Sequence, residues 1–167
     1  MKLIVAACED WGIGANGDQP FYIPADLRRF KAKTLGKVMV MGRKTLLALP
    51  GSRPLKGRTN IVLTRDADFA PPGADVCNSL GQLAQNLSQY NTDDVFVIGG
   101  QQIYELLLDY CDTAYVTKIF ATVPTDRAFP NLDLRDGWRL HEQSDVKKHE
   151  GLEFCYCEYR NDLVLKL

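Results

Sequence analysis

Asp26 is the side chain whose type and surroundings most strongly suggest chemistry. At about 100° per residue, it shares one face of a predicted helix with Ile23, Leu27 and Phe30. A carboxylate among apolar side chains has a raised pKa and needs a polar partner, and such acids cluster at functional sites. The alternative is that Asp26, an acid in the first helical turn, only complements the helix dipole. That role would explain an exposed carboxylate, but it does not explain one beside apolar residues. The basic residues of this segment are predicted to point elsewhere: Arg28, Arg29 and Lys31.

A glycine-rich segment, GIGANG at residues 12–17, follows the first apolar run and matches G-x-G-x-x-G. The dinucleotide-binding form of this motif requires a helix that opens at the turn and receives a pyrophosphate at its N-terminus. Pro20 and Pro24 prevent such a helix. No acidic residue closes a second strand at the expected distance either. We therefore interpret the segment as a mobile loop over a ligand.

Cations and glycines follow three predicted strands. Arg43 and Lys44 come after one strand, and Thr64 and Arg65 end the next. The first pair resembles the tail of a phosphate-binding P-loop, but the complete motif is absent. Either pair alone could equally well be ordinary surface charge. Two pairs at equivalent strand ends favour a bound phosphate, because ligands of open α/β sheets bind beyond the carboxyl ends of the strands. Residues 99–100, a Gly-Gly pair, allow close approach of a ligand or form a simple tight turn, and both interpretations stay open.

Composition excludes several other kinds of chemistry. The formal net charge of −1 argues against a nucleic-acid-binding surface, and His141 and His149 stand in no catalytic or metal-binding motif. An odd number of cysteines, five, predicts buried thiols in a reducing cytoplasm and no metal site. No apolar run is long enough for a membrane span or a secretory signal.

The elements that must position these residues alternate between strands and helices. Strands are predicted near residues 3–8, 37–41, 60–64, 76–77, 94–98 and 114–120, and helices near residues 25–33, 45–49, 80–87 and 101–110. Ser79 and Gln82 form a predicted capping box before the third helix. Residues 138–144 and 152–159 indicate a terminal antiparallel pair. We therefore expect one α/β domain over residues 1–167, with a mainly parallel central sheet, helices on both faces and a C-terminal antiparallel hairpin.

Several sequence blocks, in this order along nearly the whole chain, closely resemble dihydrofolate reductase. They are GANGD at residues 14–18 with Pro20, IPADLRRFK at 23–31, VMGRKT at 40–45, GRTNIVLT at 57–64, VIGG at 97–100 with Tyr104, YVT at 115–117, Asp126, and FP at 129–130. The resemblance implies reduction of 7,8-dihydrofolate to tetrahydrofolate by hydride transfer from NADPH and protonation at N5 of the pterin. It also implies a cytoplasmic enzyme of one-carbon metabolism that antifolates bind, with no nucleic-acid or membrane partner. A monomer is the default expectation.

The same resemblance assigns residues to the substrate. Asp26 would hydrogen-bond the pterin's amino group and ring nitrogen with support from Thr117, and Arg58 would grip the glutamate carboxylate. Because the family places this carboxylate too far from N5, water is the expected proton donor. The other residues of the implied substrate site are Val5, Ala6, Leu27, Phe30, Leu49, Leu55 and Ile98.

For the cofactor, the resemblance implies NADPH held near the glycine-rich segments. Contacts with nicotinamide and pyrophosphate fall to Ala7, Ile13, Gly99, Gly100 and Tyr104, and those with phosphates and adenosine to Arg43, Lys44, Thr45, Thr64 and Arg65. Further members of the implied site are Gly14, Asn16, Gly17, Asp18, Gln19, Gly42, Leu63, Ile98, Gln101, Gln102 and Ile103. No metal is expected.

Three positions depart from the family pattern. Phe21, assigned to the catalytic set, stands where a tryptophan N–H usually holds a water near the pterin, and phenylalanine has no donor. Gln19 replaces a leucine or methionine that covers the nicotinamide, and Gln102 replaces a frequent cation. We expect an active enzyme with altered protonation or cofactor affinity. The alternatives are a related pterin or pyrimidine reductase of the same fold, and a binding module that holds NADPH or folate without turnover.

Overall fold

The computed structural model describes residues 1–167. Its strands are β1 Lys2–Cys8, β2 Gly12–Gly14, β3 Val38–Gly42, β4 Thr59–Leu63, β5 Asp75–Cys77, β6 Val95–Val97, β7 Thr113–Ile119, β8 Arg127–Ala128, β9 Trp138–Gln143, β10 Lys147–His149 and β11 Leu152–Asn161. Its α-helices are α1 Pro24–Thr34, α2 Arg43–Ala48, α3 Leu80–Leu87 and α4 Gln101–Leu107. Three short 3₁₀ helices cover Pro50–Ser52, Thr92–Asp94 and Leu108–Tyr110.

Nine strands form one sheet in the order β10-β11-β7-β1-β6-β3-β4-β5, with β9 also paired to β11. All pairs from β7 to β5 are parallel, and β11 is antiparallel to β7, β9 and β10. The predicted mainly parallel sheet with a C-terminal antiparallel hairpin is therefore confirmed. Three short strands were not predicted, because β2, β8 and β10 have at most three residues and carry no readable alternation.

Helices cover both faces of the sheet, as the continuous apolar runs predict. On one face, α3 and α4 contribute Leu83 and Leu107 to a core cluster that includes Leu3. On the other face, α2 places Leu46 against Ile4 and the methionines of β3. Leu3 and Ile4 are adjacent in β1 yet belong to opposite clusters, because successive strand residues point to opposite faces. The five cysteines are buried free thiols, as expected.

The predicted cap of α3 is present in a modified form. Ser79 Oγ accepts a hydrogen bond from the backbone N–H of Gln82 at 3.1 Å. The Gln82 side chain reaches back to the N–H of Asn78 at 2.6 Å, one residue before the position that the capping-box pattern predicts. The last helix also ends earlier than predicted, because α4 tightens into a 3₁₀ turn after Leu107. None of the helices has both the length and the apolar character that a membrane span requires.

Leu83→Ala tests the contribution of α3 to the core. Leu83 is fully buried, so we expect its truncation to lower the free energy of unfolding by about 2–5 kcal/mol. Urea unfolding followed by circular dichroism measures this change. Leu134→Ala is the matched control, because 83% of Leu134 is exposed and its loss should change stability by about 0.5 kcal/mol or less. Equal effects of the two substitutions would contradict the assigned packing.

Candidate active site

A cavity of about 390 Å³ lies beside α1, α2 and the glycine-rich segment. Eight of the predicted substrate-site residues line it: Val5, Ala6, Asp26, Leu27, Phe30, Leu49, Leu55 and Ile98. Thr117 contacts the cavity indirectly through Asp26, and Arg58 lies outside the lining. The residues named for the substrate from sequence are therefore brought together, with Arg58 as the exception.

Asp26 is half-buried in the first turn of α1, at the wall of this cavity. Thr117 Oγ1, from β7, donates a short hydrogen bond to Asp26 Oδ1. Burial raises the pKa of Asp26, whereas the Thr117 hydrogen bond and the positive charge of Arg29 lower it, and the balance leaves it above its ordinary value. The carboxyl group therefore binds a proton more tightly than an exposed aspartate does, and its oxygens can accept hydrogen bonds from a ligand.

The apolar neighbours of Asp26 do not enclose it in a dry core. Leu27 is 41% exposed and Phe30 is half-buried, and both line the cavity. Ile23 is the neighbour that is buried, against Ile119 and Phe154. The helical face predicted from sequence is therefore correct, but its outer part forms the wall of a ligand cavity.

Arg29 corrects the prediction that the basic residues of α1 point elsewhere. The guanidinium carbon of Arg29 lies 4.1 Å from the ring centre of Tyr156 and 5.7 Å from that of Tyr115. Its Nη1 is buried without a hydrogen-bond partner. Burial lowers the pKa of Arg29, and the charge of Asp26 opposes that shift. A residue three positions after Asp26 on the helix thus places a partly desolvated cation behind the carboxylate.

Phe21 does not line the cavity. It packs beside the small cluster of Ile23, Ile119 and Phe154 at the base of α1. Gln19 does line the cavity, and its side chain is exposed. Of the two departures near the loop, Gln19 is therefore the one whose side chain directly borders the cavity.

The glycine-rich segment begins as a strand, which confirms that no helix opens there. β2 pairs with β8, and Ala15 bridges Asp18 through backbone hydrogen bonds of 2.9 and 3.1 Å. Asn16 and Gly17 both have positive φ, 53° and 86°, which suits an Asn-Gly turn. The N–H of Asn16 also donates to Asp126 Oδ2 at 3.1 Å. Asp126 therefore holds the tip of this loop.

Polar groups gather at one part of the cavity where β3 and β6 end. A Cβ on Gly99 would lie 3.0 Å from the Tyr104 ring, and a Cβ on Gly100 would lie 3.4 Å from Thr45 Oγ1. Gly42 N–H donates to Gly99 O at 2.8 Å, which joins the two strand ends. The glycines thus let α2 and α4 approach closely, and Lys44 also lines this part. Close backbone approach beside a cation fits a phosphate-bearing dinucleotide.

The predicted cofactor residues divide into two sets. Those that line the cavity are Ile13, Gly14, Gly17, Asp18, Gln19, Lys44, Thr45, Ile98, Gly100, Gln101 and Tyr104. Those outside its lining are Ala7, Asn16, Gly42, Arg43, Leu63, Thr64, Arg65, Gly99, Gln102 and Ile103. Arg43 and Lys44 are therefore not equivalent, since Arg43 pairs with Asp66 at 3.2 Å instead of facing the cavity.

Sequence reasoning missed four lining residues: Ile4, Ala48, Pro50 and Arg127. Ile4 and Ala48 lie inside the predicted first strand and second helix, and Pro50 directly follows that helix, so only their contact with the cavity was missed. The only sequence feature that pointed towards Arg127 was its neighbour Asp126, which belongs to the blocks that resemble the family. The strand β8 has two residues, too few to show an alternation of apolar and polar side chains.

Comparison with known proteins agrees with this geometry. The dihydrofolate reductase family matches residues 1–161. The dihydrofolate reductase of Neisseria gonorrhoeae is 37% identical over 158 residues, covering 93% of this chain and 95% of that protein. That of Bacillus subtilis is 39% identical over 153 residues, covering 89% of this chain and 88% of that protein.

A solved structure gives the same result for the fold. The dihydrofolate reductase of Enterococcus faecalis, in complex with NADP(H) and RAB-propyl, superposes with a TM-score of 0.86 and is 32% identical. The match covers 96% of this chain and 95% of that one. With a family match over nearly its whole length and relatives above 30% identity, this chain belongs to the dihydrofolate reductase family.

Proposed function

We propose that this protein reduces 7,8-dihydrofolate to 5,6,7,8-tetrahydrofolate with NADPH and so supplies tetrahydrofolate to one-carbon metabolism. The observation that carries the proposal is the half-buried Asp26, hydrogen-bonded by Thr117, at the wall of a cavity that also borders glycines and Lys44. One region of the cavity suits a flat heterocycle with an amidine-like edge. The other suits a dinucleotide phosphate. Family membership supports the same pair of ligands.

The pterin would lie against Asp26 among the apolar residues that line the cavity. A carboxylate presents two oxygens that match an amino group and an adjacent ring nitrogen. Phe30 and Leu49 offer apolar surface to the pterin and the ring that follows it. Antifolates with the same hydrogen-bonding edge are expected to occupy this position.

Arg58 is proposed to bind the glutamate carboxylate of the substrate at the outer edge of this site. Its Nε and Nη2 donate to Thr34 Oγ1 at 3.2 and 3.1 Å, and its Nη1 donates to the carbonyl oxygen of Lys56 at 2.8 Å. These bonds fix the guanidinium and leave further N–H donors for a carboxylate. Burial lowers the pKa of Arg58, but a guanidinium remains charged at neutral pH.

NADPH, when bound, supplies the hydride. Lys44, Thr45, Gly100 and Gln101 would hold its phosphates, since their polar groups line one region of the cavity. Ile13 and Tyr104 would pack against its nicotinamide end. The chain contributes orientation, which makes the transfer between two bound rings effectively intramolecular.

Asp26 controls protonation in the proposed mechanism. Burial raises its pKa, so Asp26 binds a proton more tightly than an exposed aspartate does, and the negative charge of its carboxylate form can stabilise the protonated, more electrophilic pterin. Water admitted beside Gln19 is proposed to deliver the proton to N5. Thr117 fixes the carboxylate by donating to Oδ1, and the remaining lone pairs of both oxygens are available to the substrate.

We further propose a cytoplasmic monomer whose single domain spans residues 1–167. The five buried thiols suit a reducing compartment.

The deciding experiment is an assay of dihydrofolate-dependent NADPH oxidation at about 340 nm, from about pH 5 to about pH 9. Turnover supports the proposal. NADPH oxidation that requires a different pterin or a pyrimidine would instead identify a related reductase. Binding of NADPH and folate without oxidation would identify a binding module.

Asp26→Asn removes the ionisable group while preserving shape. We expect NADPH oxidation at neutral pH to fall by about 100-fold or more, because asparagine cannot supply the negative charge that stabilises the protonated pterin. The raised pKa of Asp26 means that the fold prefers the neutral form, so ionised Asp26 destabilises it above that pKa. The variant should therefore be at least as resistant to thermal unfolding at pH 7 as the original. A folded variant that retains full turnover would remove the central role of Asp26.

Arg29→Met tests the cation behind the carboxylate. Since the charge of Arg29 lowers the pKa of Asp26, its removal should raise that pKa, and the alkaline fall of hydride transfer should move to higher pH. Stopped-flow rates of NADPH oxidation across pH measure the shift. Lys33→Met is the matched control, because Lys33 lies 3.9 Å from the Tyr115 ring, one turn farther along α1. Equal shifts for both variants, or none for Arg29→Met, would contradict this assignment.

Gln19→Leu and Phe21→Trp test the two departures near the loop. Leucine at the cavity wall adds apolar surface, so we expect the Kd for NADPH to fall about threefold or more. Tryptophan adds a donor near the base of α1, and we expect it to alter the pH profile of hydride transfer. Fluorescence titration and stopped-flow kinetics measure the two effects. If affinity, rates and pH profile all stay unchanged, neither departure influences the reaction.

A further inference from the structure

Arg127 is a cavity-lining cation that the sequence patterns did not identify. It stands in β8, opposite Gly14 in β2, and 35% of its side chain is exposed. A Cβ on Gly14 would lie 2.9 Å from Arg127 Nε and 3.2 Å from its Cζ. The guanidinium therefore lies directly against the glycine backbone. A larger residue at position 14 would displace it.

Most of the hydrogen-bonding capacity of Arg127 is unused within the protein. Nε donates to Asp126 Oδ1 at 3.3 Å, and neither Nη1 nor Nη2 has a hydrogen-bond partner. A guanidinium presents five N–H donors in a planar fork that matches two oxygens of a phosphate. The unpaired side of this fork belongs to a residue of the cavity wall, where an anionic ligand can reach it.

Only four charged residues line the cavity: Asp18, Asp26, Lys44 and Arg127. The backbone N–H of Ala128 donates to Gln101 Oε1 at 3.1 Å, which places β8 beside the start of α4. A Cβ on Gly100 would lie 3.4 Å from Thr45 Oγ1, so α2 and α4 begin close together. Arg127 thus joins the same polar region as Lys44. It is the only guanidinium in the cavity wall.

Other candidate cations do not supply a second charge to this region. Arg43 pairs with Asp66 at 3.2 Å and lies outside the cavity lining. Position 102 carries an exposed glutamine. A pyrophosphate bears two negative charges, which Lys44 alone would leave half-neutralised. Arg127 places a second cation in the cavity wall, from β8 and not from a helix.

We propose that Arg127 binds the pyrophosphate of the bound dinucleotide. The proposal rests on the proposed function for the identity of the ligand. Asp126, which accepts from Arg127 Nε, also accepts the N–H of Asn16 at 3.1 Å and donates its own N–H to Gly14 O at 2.9 Å, so the guanidinium is held beside the glycine-rich loop.

The test measures cofactor binding directly. Kd values for NADPH and NADH are determined by fluorescence titration for the unaltered protein, Arg127→Gln and Arg127→Lys. Loss of a charge-assisted contact should raise both Kd values by about tenfold or more in Arg127→Gln, with a smaller rise in Arg127→Lys. Arg139→Gln is the matched control, because Arg139 is an exposed arginine of β9 paired with Asp162, outside the cavity. It should leave both Kd values within about twofold.

The two nucleotides identify the phosphate that Arg127 contacts. A pyrophosphate contact raises both Kd values by the same factor and leaves their ratio unchanged. If only NADPH binding weakens, Arg127 contacts the 2′-phosphate and the proposal is wrong. If neither Kd changes, Arg127 has no contact with the ligand, and the proposal is equally wrong.

Salt dependence separates a charge contact from a purely structural role. A direct ion pair makes the affinity for NADPH fall with ionic strength, so the Kd of Arg127→Gln should depend less steeply on salt than that of the unaltered protein. If Arg127 only positions the loop, Arg127→Gln would raise the Kd for NADPH without changing how steeply that Kd depends on salt. That result would overturn the proposed phosphate contact.

Gly14→Ala supplies a second variant, because its Cβ displaces the guanidinium. The two substitutions should weaken binding less than additively when combined. Full additivity would contradict the shared contact. If the unaltered protein binds no NADPH, the proposed function itself fails, whereas normal binding with an unaffected Arg127→Gln variant removes only this inference.

Discussion

The hydrogen bond between Thr117 and Asp26 is the contact on which the arrangement of the site depends. It joins α1 to β7 across 91 residues of sequence and therefore exists only when the sheet is complete around β1. Pro24 starts α1, and the burial of Ile23 against Ile119 fixes the angle at which the helix leaves the sheet. The carboxylate is thus oriented by backbone elements that are themselves packed in the core. A site built in this way changes little when its surface loops vary.

Burying a carboxylate is unfavourable, and the surroundings of Asp26 offset that cost only in part. Thr117 stabilises the charged form by a hydrogen bond, and Arg29 does so by its charge from behind the helix. Desolvation remains the largest influence, so the pKa of Asp26 stays raised. Full compensation would stabilise the protein and return the pKa of Asp26 to its ordinary value or below it. Arg29 is itself partly desolvated, and its Nη1 has no hydrogen-bond partner, so its charge offsets only part of the cost of burying Asp26.

The sequence predicted the regular elements well, because they depend on local patterns, and the family resemblance named most of the residues that line the cavity around Asp26. Apolar runs located the long strands, and helical periodicity placed Asp26 on the correct face of α1. The same periodicity failed for Arg29, since a long aliphatic stem let its charged end fold back over Tyr156. It also could not locate Arg127, whose two-residue strand is defined only by its partner Gly14. Tertiary pairings of this kind leave no periodic signal.

The cavity has to satisfy two opposite electrostatic requirements within about 390 Å³. Near Asp26, low polarity is needed so that the carboxyl group keeps a raised pKa. Near Lys44 and Arg127, the proposed binding of a dinucleotide requires exposed N–H groups that neutralise phosphate charge. The parallel sheet keeps these two regions apart. The strand β1 borders the region around Asp26, whereas β3 and β6 end beside the region around Lys44.

Tyr104 links the two regions. Its ring packs beside Gly99, and its buried hydroxyl donates to the carbonyl oxygen of Ile4 in β1 at 2.8 Å. Burial raises the pKa of this phenol well above its ordinary value, so it stays a neutral donor and adds no charge to either region. A charged group at this position would raise the local polarity around Asp26. The neutral phenol instead joins β1, which borders the region around Asp26, to α4, which borders the proposed phosphate region, and it adds no charge to either.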